Sequence, residues 1–141
     1  MLAIERRTRV IEGVAPDAIP YAELMQNQQP VIFKGVARHW PLVQFGLESP
    51  DAAMDYIASF HEGRPVVGYS CAPEEGGRYF YTDQVDGFNF ERARVQLTDF
   101  FAKIRETMTA SDGSSYYIGS TDLDTFFPGM RGENDLVLND P

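Results

Sequence analysis

Few of the strand-like runs in this chain lie close enough together to pair across a tight turn. Val10-Ile11, Val31-Ile32-Phe33-Lys34-Gly35-Val36, Arg64 to Tyr69, Tyr79-Phe80-Tyr81 and Tyr116-Tyr117-Ile118-Gly119 read as short strands, because β-branched and aromatic residues suit a pleated surface. Helical patterns or loops rich in Gly and polar residues separate them. Their natural partners are therefore distant strands, and several can belong to a sheet that these residues alone do not complete. With 141 residues the chain is long enough for one domain and too short for two ordinary ones. The expected fold class is α+β, with residues 1–141 forming a single domain.

Three helices separate the strands. Pro20 to Gln26 fits a short helix with proline in its first turn. The best-signed helix follows Ser49: this serine is a good N-cap, Pro50 suits the first helical position, and Asp51 favours the dipole. Ala53, Met54, Ile57 and Phe60 then fall on one face, and Gly63 stops the helix. Thr98 is expected to cap a third helix that carries Phe100, Phe101, Ile104 and Met108 inward. Asp112-Gly113-Ser114-Ser115 and Phe126-Phe127-Pro128-Gly129 read as turns. At the end, Asp135-Leu136-Val137-Leu138 reads as a strand beginning, and Asn139-Asp140-Pro141 as a turn leading into a further element.

A formal net charge of −9 disfavours nucleic acid as the main partner, since phosphate neutralisation needs clustered Lys and Arg. The one basic cluster, Glu5-Arg6-Arg7-Thr8-Arg9, reads as a solvated edge strand. The single cysteine, Cys71, excludes an internal disulfide and reads as a structural or bystander thiol. With no signal peptide visible, a reducing cytoplasm is the expected compartment. No apolar run approaches the length of a membrane span, so no membrane association is expected.

The sequence carries little recognisable catalytic chemistry. Of the two histidines, His39 is followed by Trp40-Pro41 and His61 by Glu62-Gly63. Neither begins a His-x-Asp or His-x-Glu pair, so a two-histidine, one-carboxylate iron site is not written here, and a zinc site lacks its Cys and His ligands. The expected catalytic and metal-ligating residues are therefore none. Phosphate-binding glycine loops and nucleophile elbows are absent. Asp122-Leu123-Asp124 could hold a divalent cation, but a loop-capping role competes. The chain has ten Phe, seven Tyr and one Trp, enough for some ring surface to line a groove as well as fill a core. Tyr79, Tyr81, Tyr116 and Tyr117 place hydroxyls on flat apolar bodies, which suits either the mouth of a groove or a half-exposed sheet.

Taken in order, several segments resemble one family. Gln29-Pro30-Val31-Ile32-Phe33-Lys34-Gly35 resembles its opening strand and Trp40-Pro41 the dipeptide that follows. Gly77-Arg78-Tyr79-Phe80-Tyr81-Thr82-Asp83 resembles an aromatic strand before a loop bearing Phe-x-Phe, here Phe88-Asn89-Phe90. Leu97 to Ile104 resembles the helix before the core barrel, and Tyr116-Tyr117-Ile118-Gly119 the strand after it. The chain thus resembles the N-terminal part of a cupin-like, JmjC-type Fe(II)- and 2-oxoglutarate-dependent hydroxylase, related to the asparaginyl hydroxylase of hypoxia-inducible factor. The likeness runs from about Val10 onward and rests on order and spacing.

The resemblance implies the N-terminal helices and strands of a double-stranded β-helix, or jelly roll, with the barrel incomplete in this chain. It implies an intact dioxygenase that uses Fe(II) and 2-oxoglutarate on a protein or small-molecule substrate. Tyr117 matches the tyrosine that reaches the distal carboxylate of 2-oxoglutarate. Tyr79, Phe80 and Tyr81 match the strand flanking the substrate channel. Tyr116, beside Tyr117, is counted with that groove although it points to the opposite side of a pleated strand. The family's His-x-Asp, its basic residue for the keto acid and its distal His lie downstream of the segment matching Tyr117. The chain is accordingly expected to be a fragment that binds no iron or 2-oxoglutarate alone and leaves strand edges free for self-association. Two alternatives stand beside it: a metal-free cupin-like module that binds a protein partner or dimerises through its strand edges, and an unrelated small α+β domain with a closed sheet.

Overall fold

Ser49 does what its chemistry requires. Its hydroxyl accepts a hydrogen bond from the Ala52 amide at 2.9 Å, satisfying one of the donors a helix start leaves unpaired. The helix it starts is one of six α-helices and five strands among the described residues of the computed structural model, 7–110 and 113–136. In chain order these are β1 (Arg9–Glu12), α1 (Tyr21–Asn27), β2 (Val31–Lys34), α2 (Pro41–Glu48), α3 (Pro50–Ser59), β3 (Val66–Cys71), β4 (Phe90–Val95), α4 (Leu97–Ala110), β5 (Ser115–Ile118), α5 (Leu123–Phe126) and α6 (Met130–Glu133). The start of the basic cluster at Glu5-Arg6, Asp112 of the expected turn, and the end of the chain from Val137 to Pro141 lie outside the described residues.

The strands form two small sheets, neither of them closed. β1 and β2 pair in parallel, Arg9 opposite Val31 and Glu12 opposite Lys34. Parallel neighbours need a crossover, and the connection that carries α1 supplies it. The second sheet has the order β4-β3-β5, both pairs antiparallel. Tyr69 of β3 faces Arg92 of β4 on one side and Tyr117 of β5 on the other. These open edges do not match the closed sheet of an unrelated small domain.

The two faces of this sheet differ. On one, Phe100 of α4 presses against Gly68 of β3 and meets Tyr116 of β5 edge-on, with ring centres 5.5 Å apart. Beside this contact lies the main core, where Met54, Val66, Leu97, Phe101, Phe127 and Met130 are buried together. The opposite face carries Tyr69, Phe90 and Tyr117. Arg105 of α4 forks between Asp51 and Asp55 of α3 and holds the two helices in register from the surface.

Four expectations change. Tyr79-Phe80-Tyr81 is not a strand; only Tyr81 bridges to Phe88. The side chain of Asn89 takes the Phe80 amide at 2.7 Å, filling the place of a ladder partner. Met108 is half exposed, because the last turns of α4 run past the core. Thr98 does not cap α4, which already begins at Leu97. Phe126 to Gly129 is more than a turn: Phe126 ends α5, Phe127 is buried, and Gly129, at φ 90°, leads into α6.

α2 and β4 have no counterpart among the expected elements. The cap position of α2 is Trp40, which offers no side-chain acceptor. The missing acceptor comes from Asn134, far along the chain, whose Oδ1 accepts from the Leu42 amide at 3.0 Å. The Asn134 amide group donates to Met130 O and to the Tyr56 hydroxyl, which donates to Glu133. One buried side chain thus ties α6 to α2 and α3.

Two substitutions check this packing. A methyl group on Gly68 would sit 2.7 Å from Phe100 and 2.9 Å from Val95, so Gly68→Ala should lower unfolding free energy by about 1–3 kcal/mol through overpacking. Urea denaturation measures it, and an unchanged midpoint would place α4 elsewhere. Asn134→Ala strands the Leu42 amide and should cost about 1–3 kcal/mol; loss of the α2 signal ahead of the main transition in circular dichroism would show local undocking.

Candidate functional site

Residues alternate sides along a strand, so β3 sends Val67, Tyr69 and Cys71 to the sheet face opposite α4. Their cross-strand partners there are Arg94, Arg92 and Phe90 on β4, with Tyr117 and Ser115 on β5. Aromatic rings dominate this face. Tyr69 lies 5.8 Å from Tyr117 and 5.7 Å from Phe90. Tyr79 comes over from the following loop to meet Phe90 at 5.4 Å and Tyr117 at 6.1 Å. Phe88 stacks on Phe90 at 4.9 Å and on Tyr81 at 5.1 Å. Phe80, with the Arg78 guanidinium above it, meets Tyr81 at the outer end.

The loop over this face is built from its own polar groups. Gly76 and Gly77 turn the chain at positive φ. The Asn89 side chain donates to Glu75 and to the Arg78 carbonyl while accepting from Phe80. Thr82 donates to Asp86 at 2.6 Å. Beneath the loop, the buried Cys71 sulfur sits 3.9 Å from the carbonyls of Arg78 and Asn89. Its inward packing agrees with a structural or bystander thiol.

The expected site residues divide. Tyr79, Phe80, Tyr81 and Tyr117 share one aromatic strip with Tyr69, Phe88 and Phe90. Tyr116 stands apart, on the core side against Phe100, so it does not join Tyr117 in one groove. The reason is the pleat: neighbours on β5 face opposite ways. Tyr116 instead lines, with Phe88 and Phe90, a shallow hollow of about 590 Å³ at the Ser70–Cys71 end of β3.

Tyr117 is 55% exposed, and its hydroxyl has no hydrogen-bond partner among the described residues. Its ring lies back over Gly119, where any β-carbon would collide with it. Tyr79 differs: its hydroxyl meets Ser115 Oγ at 3.1 Å. Partial burial pushes the phenol above its ordinary 10.0, against the smaller opposing effect of the Ser115 bond. Asp122 and Asp124 do not form a cation pair. Asp122 caps α5 by accepting from the Thr125 amide at 2.7 Å, and Asp124 pairs with Arg131 at 3.0 Å. Among the described residues no three His, Cys, Asp or Glu side chains gather as a metal would need.

Sequence reasoning did not single out Tyr69, Arg92 or Arg94. Tyr69 was visible as the last residue of an expected strand. The arginines belong to a strand with no apolar period to mark it. Both are exposed, and neither guanidinium has a partner among the described residues. Among the described residues the face therefore offers rings, three phenols without a hydrogen-bond partner (Tyr69, Tyr81 and Tyr117) and two unpaired cations: it can stack a flat or apolar group and hold a carboxylate.

Comparison with known proteins fits this architecture. The model of the cupin-like domain matches residues 16–141. The chain belongs to the cupin-like domain family. The described residues of this cupin-like chain do not close a barrel. A second similarity, 31% identity over 87 aligned residues, is to the transcription termination factor Rho of Pseudomonas fluorescens biotype C. It takes in 56% of this chain and 21% of that protein, so the chain spans about a fifth of the length of the curated relative it matches. No described helix is long and apolar enough to cross a membrane.

The raised Tyr79 phenol gives a pH test. The native state holds this proton more tightly than the unfolded chain does. The associated stability is intact below pH 10 and drains away as pH rises through the raised value. Alkaline absorbance titration should show that Tyr79→Phe removes one phenol from the group ionising above pH 10. Removal of a phenol ionising at or below that pH would mean Tyr79 is not held against Phe90 and Ser115.

Proposed function

We propose that this chain supplies the ligand-facing aromatic wall of an Fe(II)- and 2-oxoglutarate-dependent oxygenase acting on a protein or small-molecule substrate. The observation that carries the reading is Tyr117, an exposed phenol on the open sheet face whose hydroxyl is uncommitted among the described residues. A phenol O–H donates well to a carboxylate, and the family membership and the JmjC-type resemblance make the distal carboxylate of 2-oxoglutarate the acceptor. Tyr79, Phe80 and Tyr81 then flank the substrate, while Tyr116 supports the sheet from behind. Such an enzyme needs two His and one carboxylate around iron, and the described residues do not supply that set. On this reading they bind and orient, and the iron ligands come from outside them.

A buried, unpaired thiol fits a reducing cytoplasm. The free edge of β4 also favours a second reading, a metal-free module that binds a protein partner through that edge. The role in the aligned relative's name is not carried over, because the match reaches a fifth of that protein and the net charge of −9 opposes nucleic acid.

The test is 2-oxoglutarate turnover by the natural-length protein with added Fe(II), read as succinate released. Tyr117→Phe should raise KM for 2-oxoglutarate about tenfold, with kcat changed less than about twofold, as expected when a bond to a charged group is lost from ground state and transition state alike. No succinate from the wild type, or an unchanged KM in the variant, would overturn the assignment.

A further inference from the structure

β4 is the outermost strand of its sheet. Glu91 to Arg94 are all exposed, and among the described residues no backbone group from Glu91 to Val95 bonds outside the β3 ladder. An edge of this kind is a template for another strand. The question is what the side chains admit.

A second copy fits badly. When two identical strands pair antiparallel about a two-fold axis, each face stays on its own side, so opposed residues share a face. In the two registers that overlap most of β4, Arg92 then stands opposite the second copy's Arg92, or Arg92 opposite Arg94. Like charges directly opposed across strands are destabilising. Self-association through this edge is therefore disfavoured.

An acidic strand fits well. Arg92 and Arg94 lie on one face, two residues apart, or roughly 6.6 Å along the strand. Carboxylates at alternate positions of an added strand meet both. Phe90, in the same row, offers a ring to an apolar neighbour. On the other face Ala93 leaves room for β-branched side chains. The net charge of −9 does not govern this contact, since screening at physiological salt acts over about 8 Å and the charges that β4 itself carries on that face are the two arginines.

We propose that the free edge of β4 binds an extended acidic peptide segment, with carboxylates at alternate positions on Arg92 and Arg94, by strand addition. The inference does not depend on iron or 2-oxoglutarate.

The probe is a fluorescein-labelled octapeptide of alternating Glu and Val, added to the full chain and followed by anisotropy. It should bind, and Arg92→Glu with Arg94→Glu should weaken binding about tenfold or more. If that variant loses its circular dichroism spectrum, Arg92→Gln with Arg94→Gln replaces it, and amide exchange on the wild type should show β4 backbone protection on adding peptide. Equal binding of an alternating Lys–Val peptide, undiminished binding by the variants, or protection elsewhere than β4 would overturn the proposal. So would tighter binding of an oligothymidine of equal charge, which would make the arginines and rings a nucleic-acid surface.

Discussion

β3 has to keep a strand on each side. All six of its residues pair with β4, and Gly68 to Cys71 pair with β5 as well; β4 is the next strand along the chain, while β5 lies beyond α4. A buried strand cannot leave its amides and carbonyls unpaired without a cost. Everything on the open face follows from that double pairing. Tyr69 is flanked by Arg92 and Tyr117 because the two registers bring them there. The side facing α4 depends on the same strand: Gly68 has no side chain, so Phe100 can seat against the backbone and close the core around Val66 and Leu97. A tight helix contact behind and an aromatic surface in front are two sides of one register.

How much of this the sequence discloses depends on whether the determining contacts are local. Ser49-Pro50-Asp51 announces α3 because cap, proline and dipole act within one turn. Gly63 and Gly35, at φ 80° and 75°, end their elements where a chain must turn left-handed. α2 keeps only one of these signs, Pro41 at its first position. Trp40 cannot cap it, Val43 and Gly46 weaken its helical propensity, and its cap arrives from Asn134. β4 is hidden for another reason. An edge strand exposed on both faces shows no alternation of apolar and polar residues, so Phe90-Glu91-Arg92-Ala93-Arg94-Val95 reads as nothing in particular. Conversely, Tyr79-Phe80-Tyr81 has strand composition without a strand, because the Asn89 side chain takes an amide the ladder would need.

The same distinction governs the candidate site. Tyr117 and the Tyr79–Tyr81 segment were found through order and spacing along the chain. Their meeting with Tyr69 and Phe90 was not, since it depends on pairings spanning some twenty to fifty residues. Separating Tyr116 from Tyr117 required only the period of a strand. Whether the free arginines belong to the same ligand as the phenol is a matter of strand geometry: Arg92 and Tyr117 sit on opposite sides of Tyr69, with that ring between them.

Cys71 gives the loop from Ala72 to Asn89 a clock. The thiol is buried at 3% exposure, under the carbonyls of Arg78 and Asn89, and it is the only cysteine in the sequence. Small alkylating reagents reach such a thiol only when its cover lifts, so the labelling rate reports how often the loop opens. When opening equilibrates faster than alkylation, that rate divided by the rate for a free thiol of the same ionisation is the population of the open form. Tyr79, Phe80, Tyr81 and Phe88 of the aromatic strip are carried on this same loop, and they meet Phe90 and Tyr117 only while the loop is closed. One accessible-thiol measurement therefore reads the fraction of molecules whose aromatic face is assembled, without attaching any probe to the face itself.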